Sequence, residues 1–96
     1  MYATVRRFEN VSGPREVARR VNEGLVPLIS QIPGCLSYSW VDAGGGVMVS
    51  INLFEDQAGA EEANRRAPDW VRQHIAAFLP NAPQITAGEV VVHRAR

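Results

Sequence analysis

Ninety-six residues with 46% apolar and 21% charged side chains make one small globular domain, able to bury roughly 60–68% of the surface its unfolded chain exposes. Ten basic residues, all arginine, balance ten carboxylates, which argues against a globally basic nucleic-acid binder and against an acidic disordered tail. No apolar run approaches the roughly 18–20 residues that a membrane span needs. Met1 leads into a strand-like segment with no signal-peptide apolar core, so the expected location is cytoplasmic. A single cysteine, Cys35, excludes an internal disulfide framework and any multi-cysteine zinc site.

Tyr2–Phe8 is rich in β-formers and loosely alternating, and reads as a first strand. Asn10-Val11-Ser12-Gly13-Pro14 is a turn followed by a helix start, with Ser12 or Gly13 as cap and Pro14 in the first turn. Val17, Val21, Leu25, Leu28 and Ile32 then recur at steps of three and four, a single helical stripe. Pro27 lacks a backbone donor and meets the carbonyl of Glu23, so a kink or break is expected near it. Pro33-Gly34 ends the helix. The arginine doublets Arg19-Arg20 and Arg65-Arg66 sit beside Glu16, Glu23, Glu61 and Glu62 and read as solvated helix faces with i,i+3 and i,i+4 partners.

Cys35–Asp42 and Val47–Phe54 flank the run Gly44-Gly45-Gly46, a hairpin signal. A turn centred between Gly44 and Gly45 sets Leu36, Tyr38 and Trp40 opposite Leu53, Ile51 and Val49, with Val41, Met48, Ser and Asn side chains on the other face. Asp56 caps a second helix. A kink or short break is expected at Ala67-Pro68, before a second helical stretch from Asp69 to Leu79. Gln84–Arg94 closes the chain as a strand centred on Val90-Val91-Val92.

The order β-α-β-β-α-β is that of a ferredoxin-like α+β fold, residues 1–96 forming one domain around a four-stranded antiparallel sheet. Right-handed crossovers put strand 1 beside strand 3, strand 2 outside strand 3, and strand 4 outside strand 1. Both helices cover one sheet face. The other is neither cleanly polar nor cleanly apolar, and the expected solution is a homodimer in which two sheets pack face to face, a dimeric α+β barrel.

Ile32-Pro-Gly-Cys-Leu-Ser-Tyr-Ser-Trp40 and Val49-Ser-Ile-Asn-Leu-Phe-Glu-Asp56 are similar to the lead-in to strand 2 and to the passage from strand 3 to helix 2 in antibiotic-biosynthesis-monooxygenase-like (ABM) domains. The resemblance extends over essentially the whole chain, element by element. It implies a ligand pocket between sheet and helices, and a cofactor-independent monooxygenase acting on an aromatic or polyketide-like small molecule. Two other activities suit the frame: a non-catalytic dimeric protein that binds a small ligand or serves in stress, and an isomerase or dehydratase. The haem-degrading branch of the superfamily uses an Asn on strand 1 and a Trp and a His on helix 2. This chain has Arg6 and Arg7 on strand 1, with Ala63 and Arg72 near the expected Trp and His positions, so haem degradation is not expected.

An oxygenase of the cofactor-free kind needs an apolar, water-poor pocket with a few donors to orient an aromatic substrate and hold developing negative charge. The available parts are Tyr38, Trp40 and Trp70 as substrate-binding residues and Asn52, Asn64 and His74 as catalytic ones. An Asn can hold a phenolate or enolate oxygen, and a His can take a proton near neutral pH. Each also has a packing role: Tyr38 and Trp40 on a half-buried strand, Trp70 anchoring a helix. With two histidines in the chain, no His-based metal centre is expected. Cys35 follows a helix end, where nothing lowers its pKa.

Overall fold

A computed structural model describes residues 1–96. Strands β1 (Tyr2–Phe8), β2 (Cys35–Gly44), β3 (Val47–Phe54) and β4 (Gln84–Glu89) form one antiparallel sheet in the order β2-β3-β1-β4. This is the strand order expected of a ferredoxin-like fold. Helices α1 (Pro14–Arg20), α2 (Val26–Ser30) and α3 (Gln57–His74) lie on one face of it. No helix is long and apolar enough to cross a membrane.

The first helical segment runs from α1 through a π-helical turn, Val21–Leu25, into α2. The wide turn ends two residues before Pro27, and it absorbs the missing donor and the ring's bulk where a kink was expected. Gly13, with φ of 58°, takes the N-cap position of α1, a left-handed conformation suited to glycine. Val17, Val21, Leu25, Ile29 and Ile32 are buried in the core; Leu28, expected in this stripe, is only half-buried, because the wide turn adds a residue and moves the inward position from 28 to 29.

Helix α3 is capped by Asp56, whose carboxylate accepts from the Gly59 N–H at 3.0 Å. It continues through Pro68 to His74, so the break expected at Ala67-Pro68 does not occur. Pro68 is exposed while Ala60, Ala63 and Ala67 stay buried on the sheet side; packing of that small-residue stripe outweighs one lost hydrogen bond. The stretch expected to remain helical as far as Leu79 instead gives way to a short 3₁₀ turn, Ala76–Phe78.

The hairpin register differs by one residue from the pairing expected. Gly44 pairs with Val47, leaving Gly45 (φ 61°) and Gly46 (φ 81°) as the two central residues of the turn. A two-residue hairpin turn with positive φ at both positions fits the right-handed strand twist, and it fixes where pairing starts. Register irregularities between Asp42 and Gly44 and between Cys35 and Ser37 complete the shift. Tyr38 therefore lies opposite Asn52, and Trp40 opposite Ser50. Tyr38 and Trp40 share the helix-covered face with Met48, Ser50 and Asn52, whereas Val41, Val49, Ile51 and Leu53 point to the opposite face.

Strand β4 ends at Glu89, not at Arg94. Glu89 pairs with Tyr2, the Val90 N–H donates to the Met1 carbonyl at 2.9 Å, and β1 has no residue left to pair with. Val91 and Val92 lie beyond the sheet, 90% and 87% exposed.

Phe54 is wholly buried, and its ring occupies the space beside Gly59. A Cβ at position 59 would come within 2.6 Å of Phe54 Cδ1 and 3.1 Å of the Pro33 carbonyl. Gly59→Ala is expected to destabilise the protein by about 1–3 kcal/mol through overpacking, despite a helix-propensity gain of up to about 1 kcal/mol. Urea unfolding with unchanged m would measure it.

Candidate functional site

Period-two alternation carries four polar side chains under the helices: Thr4, Arg6, Ser50 and Asn52 are all at least nine-tenths buried. They form two cross-strand rows. One runs Ile85–Arg6–Ser50–Trp40 and the other Ala87–Thr4–Asn52–Tyr38. Buried polar groups on a sheet face cost stability unless they are partnered.

A cavity of about 380 Å³ lies above the first row. Arg6, Ser50, Trp40 and Ile85 form its floor, Leu25, Ala67 and Val71 come from the helices, and Leu79, Asn81 and Pro83 close one end. Asn81 is held there by a 2.8 Å hydrogen bond from the Asn10 side chain. Most of the lining is apolar. Trp40 stacks on Phe8 with ring centroids 5.2 Å apart, and its indole N–H donates to the Tyr38 hydroxyl oxygen at 2.8 Å.

Arg6 is 8% exposed, and its guanidinium donates through Nη2 to Asn64 Oδ1 at 2.9 Å. It makes no ion pair. Arg7, Arg19, Arg20, Arg65, Arg66 and Arg72 each have a carboxylate partner. Burial lowers the Arg6 pKa from its ordinary value, and an arginine nevertheless keeps its proton. The Tyr38 phenol is pushed up to about 12, chiefly by burial, with the Trp40 hydrogen bond and the Arg6 charge acting the other way. Burial also raises the Cys35 thiol, which lies near the Ser37 carbonyl.

The six residues singled out from the sequence are thus distributed unequally. Tyr38 and Trp40 line the cavity. Asn64 stands behind it and grips Arg6. Asn52 lies in the second row, beside Thr4, and neither Asn52 Oδ1 nor Thr4 Oγ1 has a hydrogen-bond partner. Trp70 and His74 line a separate surface groove with Arg19, Arg20 and Glu23. They stack with centroids 4.6 Å apart, and Trp70 packs on Gly24 in the π-helical turn. Sequence reasoning passed over Arg6. The available signal was its place between Thr4 and Phe8: a strand that turns Phe8 inward turns residue 6 inward as well.

No family model matches the sequence, and no curated protein resembles it closely enough to be recognised by sequence search. Solved structures do resemble it. A protein of unknown function from Nitrosomonas europaea superposes with a TM-score of 0.77 at 20% identity, over 99% of this chain and 93% of that one. A monooxygenase from Streptomyces coelicolor, in complex with the ligand nanaomycin D, gives 0.76 at 17% identity over 99% and 91%. A third, named as an antibiotic biosynthesis monooxygenase, gives 0.72 at 19% identity over 96% and 100%. The chain has the ABM fold.

On this ABM fold the buried phenol makes a measurable contribution to pH dependence. The folded-state pKa of Tyr38 is raised, so the native state holds that proton after the unfolded chain has released it. The stability is fully present below the ordinary tyrosine pKa of roughly 10 and is lost as pH rises towards about 12. Wild type is expected to lose about 2 kcal/mol across that window more than Tyr38→Phe does. Denaturant midpoints of the two proteins at a series of alkaline pH values would show it.

Proposed function

We propose that the chain is a small dimeric enzyme of the ABM type, oxygenating an aromatic, polyketide-like phenol in the cavity between sheet and helices without metal, flavin or haem. The observation that carries this reading is a mostly apolar cavity, partly open to solvent and floored by Trp40 and a buried arginine, on the fold of a monooxygenase whose structure holds the ligand nanaomycin D. The reaction balances without a cofactor. A phenol with an open para C–H reacts with O₂ to give a quinone and water. The ring supplies all the electrons, one oxygen atom enters the product and the other leaves as water.

In this reading the face of Trp40 and the apolar walls hold the aromatic rings and exclude water. Tyr38 sets the Trp40 indole through their hydrogen bond, and Asn64 acts through Arg6. Asn52, Trp70 and His74 take no direct part.

No carboxylate or imidazole lines the cavity, and the Tyr38 phenol is too weakly acidic to serve as a base near neutral pH. That observation favours, as a second reading, a non-catalytic protein that binds the same aromatic class. It weighs against an isomerase or dehydratase, which must move a proton. Incubation with 1-naphthol separates the two. Enzyme predicts O₂ uptake above the protein-free rate with one quinone formed per O₂, and loss of at least about tenfold in rate in Trp40→Ala. Binding without O₂ uptake selects the second reading.

The sheet's outer face supports the dimer. Val5, Val41, Val49, Ile51 and Leu53 point away from the helices, with Val41 44% and Ile51 37% exposed. A second copy packed sheet to sheet would bury them. Sedimentation at micromolar concentration is expected to give a dimer, and Ile51→Lys a monomer with the same circular dichroism. A wild-type monomer would overturn the assembly.

A further inference from the structure

We infer that the ligand of this cavity carries an anionic oxygen, a phenolate, enolate or carboxylate, seated against the Arg6 guanidinium, with Asn64 as the positioning residue. The inference rests on the reading of the cavity as an aromatic-ligand site and adds its charge.

The argument begins with the desolvation of Arg6. A guanidinium has five N–H donors in a planar fork. Burial strips their water, and the one side-chain acceptor supplied is the neutral carbonyl of Asn64. A buried cation without a counter-charge is costly, and the ion-paired arginines of the chain all lie on solvated surface. The fold nevertheless puts Arg6 on β1, with β3 on one side and β4 on the other, and turns it into the cavity floor. The residues in its row are Ile85, Ser50 and Trp40, none of them acidic. An anionic oxygen entering the cavity would supply the missing charge and accept from the fork, a charge-assisted bond beside mostly apolar walls. The aromatic body of the same molecule would lie on Trp40, two strands away in that row.

The chemistry agrees with this charge. A cavity that lacks a carboxylate or imidazole base cannot readily generate a phenolate by proton abstraction. A fixed cation achieves the same end by binding the ionised form preferentially and so lowering the pKa of a bound phenol. Asn64, held on α3 beside the buried stripe of Ala60, Ala63 and Ala67, fixes where the fork points.

The test compares isosteres by calorimetry: 2-naphthoate against 2-naphthamide. Wild type is expected to bind the anion at least about tenfold more tightly. In Arg6→Gln that preference falls to near unity while the affinity for the amide is unchanged. The exposed Arg72 at the rim, already paired with Asp69, is the control: Arg72→Gln keeps the preference. For the phenolate, 1-naphthol bound to wild type is expected to ionise at lower pH than free 1-naphthol. Equal binding of acid and amide by wild type, or a preference that survives Arg6→Gln, overturns the inference while leaving the cavity as an aromatic site. Binding of neither compound overturns the cavity reading itself. Where Arg6→Gln fails to fold, the wild-type preference and its fate in Arg72→Gln decide: kept, the cation is Arg6; lost, the inference falls.

Discussion

The Arg6 guanidinium, buried between the sheet and α3 and held by the side-chain carbonyl of Asn64, is the constraint around which the rest of the layer is arranged. A charge in that position needs a strand that cannot slip. Strand β1 is paired on both sides, to β3 along its whole length and to β4 from Tyr2 to Arg7. A one-residue shift would carry Arg6 to the outer face and bring Val5 or Arg7 inward. The helix above must offer an acceptor and little bulk. Ala60, Ala63 and Ala67 let α3 lie close to the sheet, and Asn64 supplies the acceptor between them. Gly59 permits that close approach where the helix starts, over Phe54.

What local sequence controls was legible. The Asp56 cap, the proline near the start of the first helix, the apolar stripe from Val17 to Ile32 with Ile29 in place of Leu28, and the paired arginine doublets all depend on neighbours within about four residues, and each is found in place. The strand order followed from handedness alone. The hairpin register was not legible, because three consecutive glycines admit two turns, and apolar size favours the one that puts the largest side chains on one face together. The fold instead sets Tyr38 and Trp40 among Ser50, Asn52 and Arg6.

That discrepancy and the site share one cause. Maximal segregation of apolar from polar residues would give the more stable sheet, and the departure from it puts Arg6, Ser50 and Trp40 on the floor of the cavity. Pro68 and β4 failed for a different reason. The continuity of α3 and the end of β4 are set by distant partners, the buried alanine face in one case and the start of β1 at Tyr2 in the other. No window along the sequence contains both members of either pair.

The two faces of β3 divide the work. Met48, Ser50, Asn52 and Phe54 look towards the helices, and Val49, Ile51 and Leu53 look away. The inner set places Ser50 and Asn52 under the helices, so it contributes less to stability than an apolar set would. The outer set is apolar without a covering helix. A small chain with a cavity of about 380 Å³ under its only helical layer has given up core that a filled domain would keep. Burial of the outer valines and Ile51 against a second copy would restore apolar contact on the side away from the ligand. Assembly and ligand binding would then be linked through one strand, because any displacement of β3 that reshapes the cavity floor also moves the surface on which the partner rests.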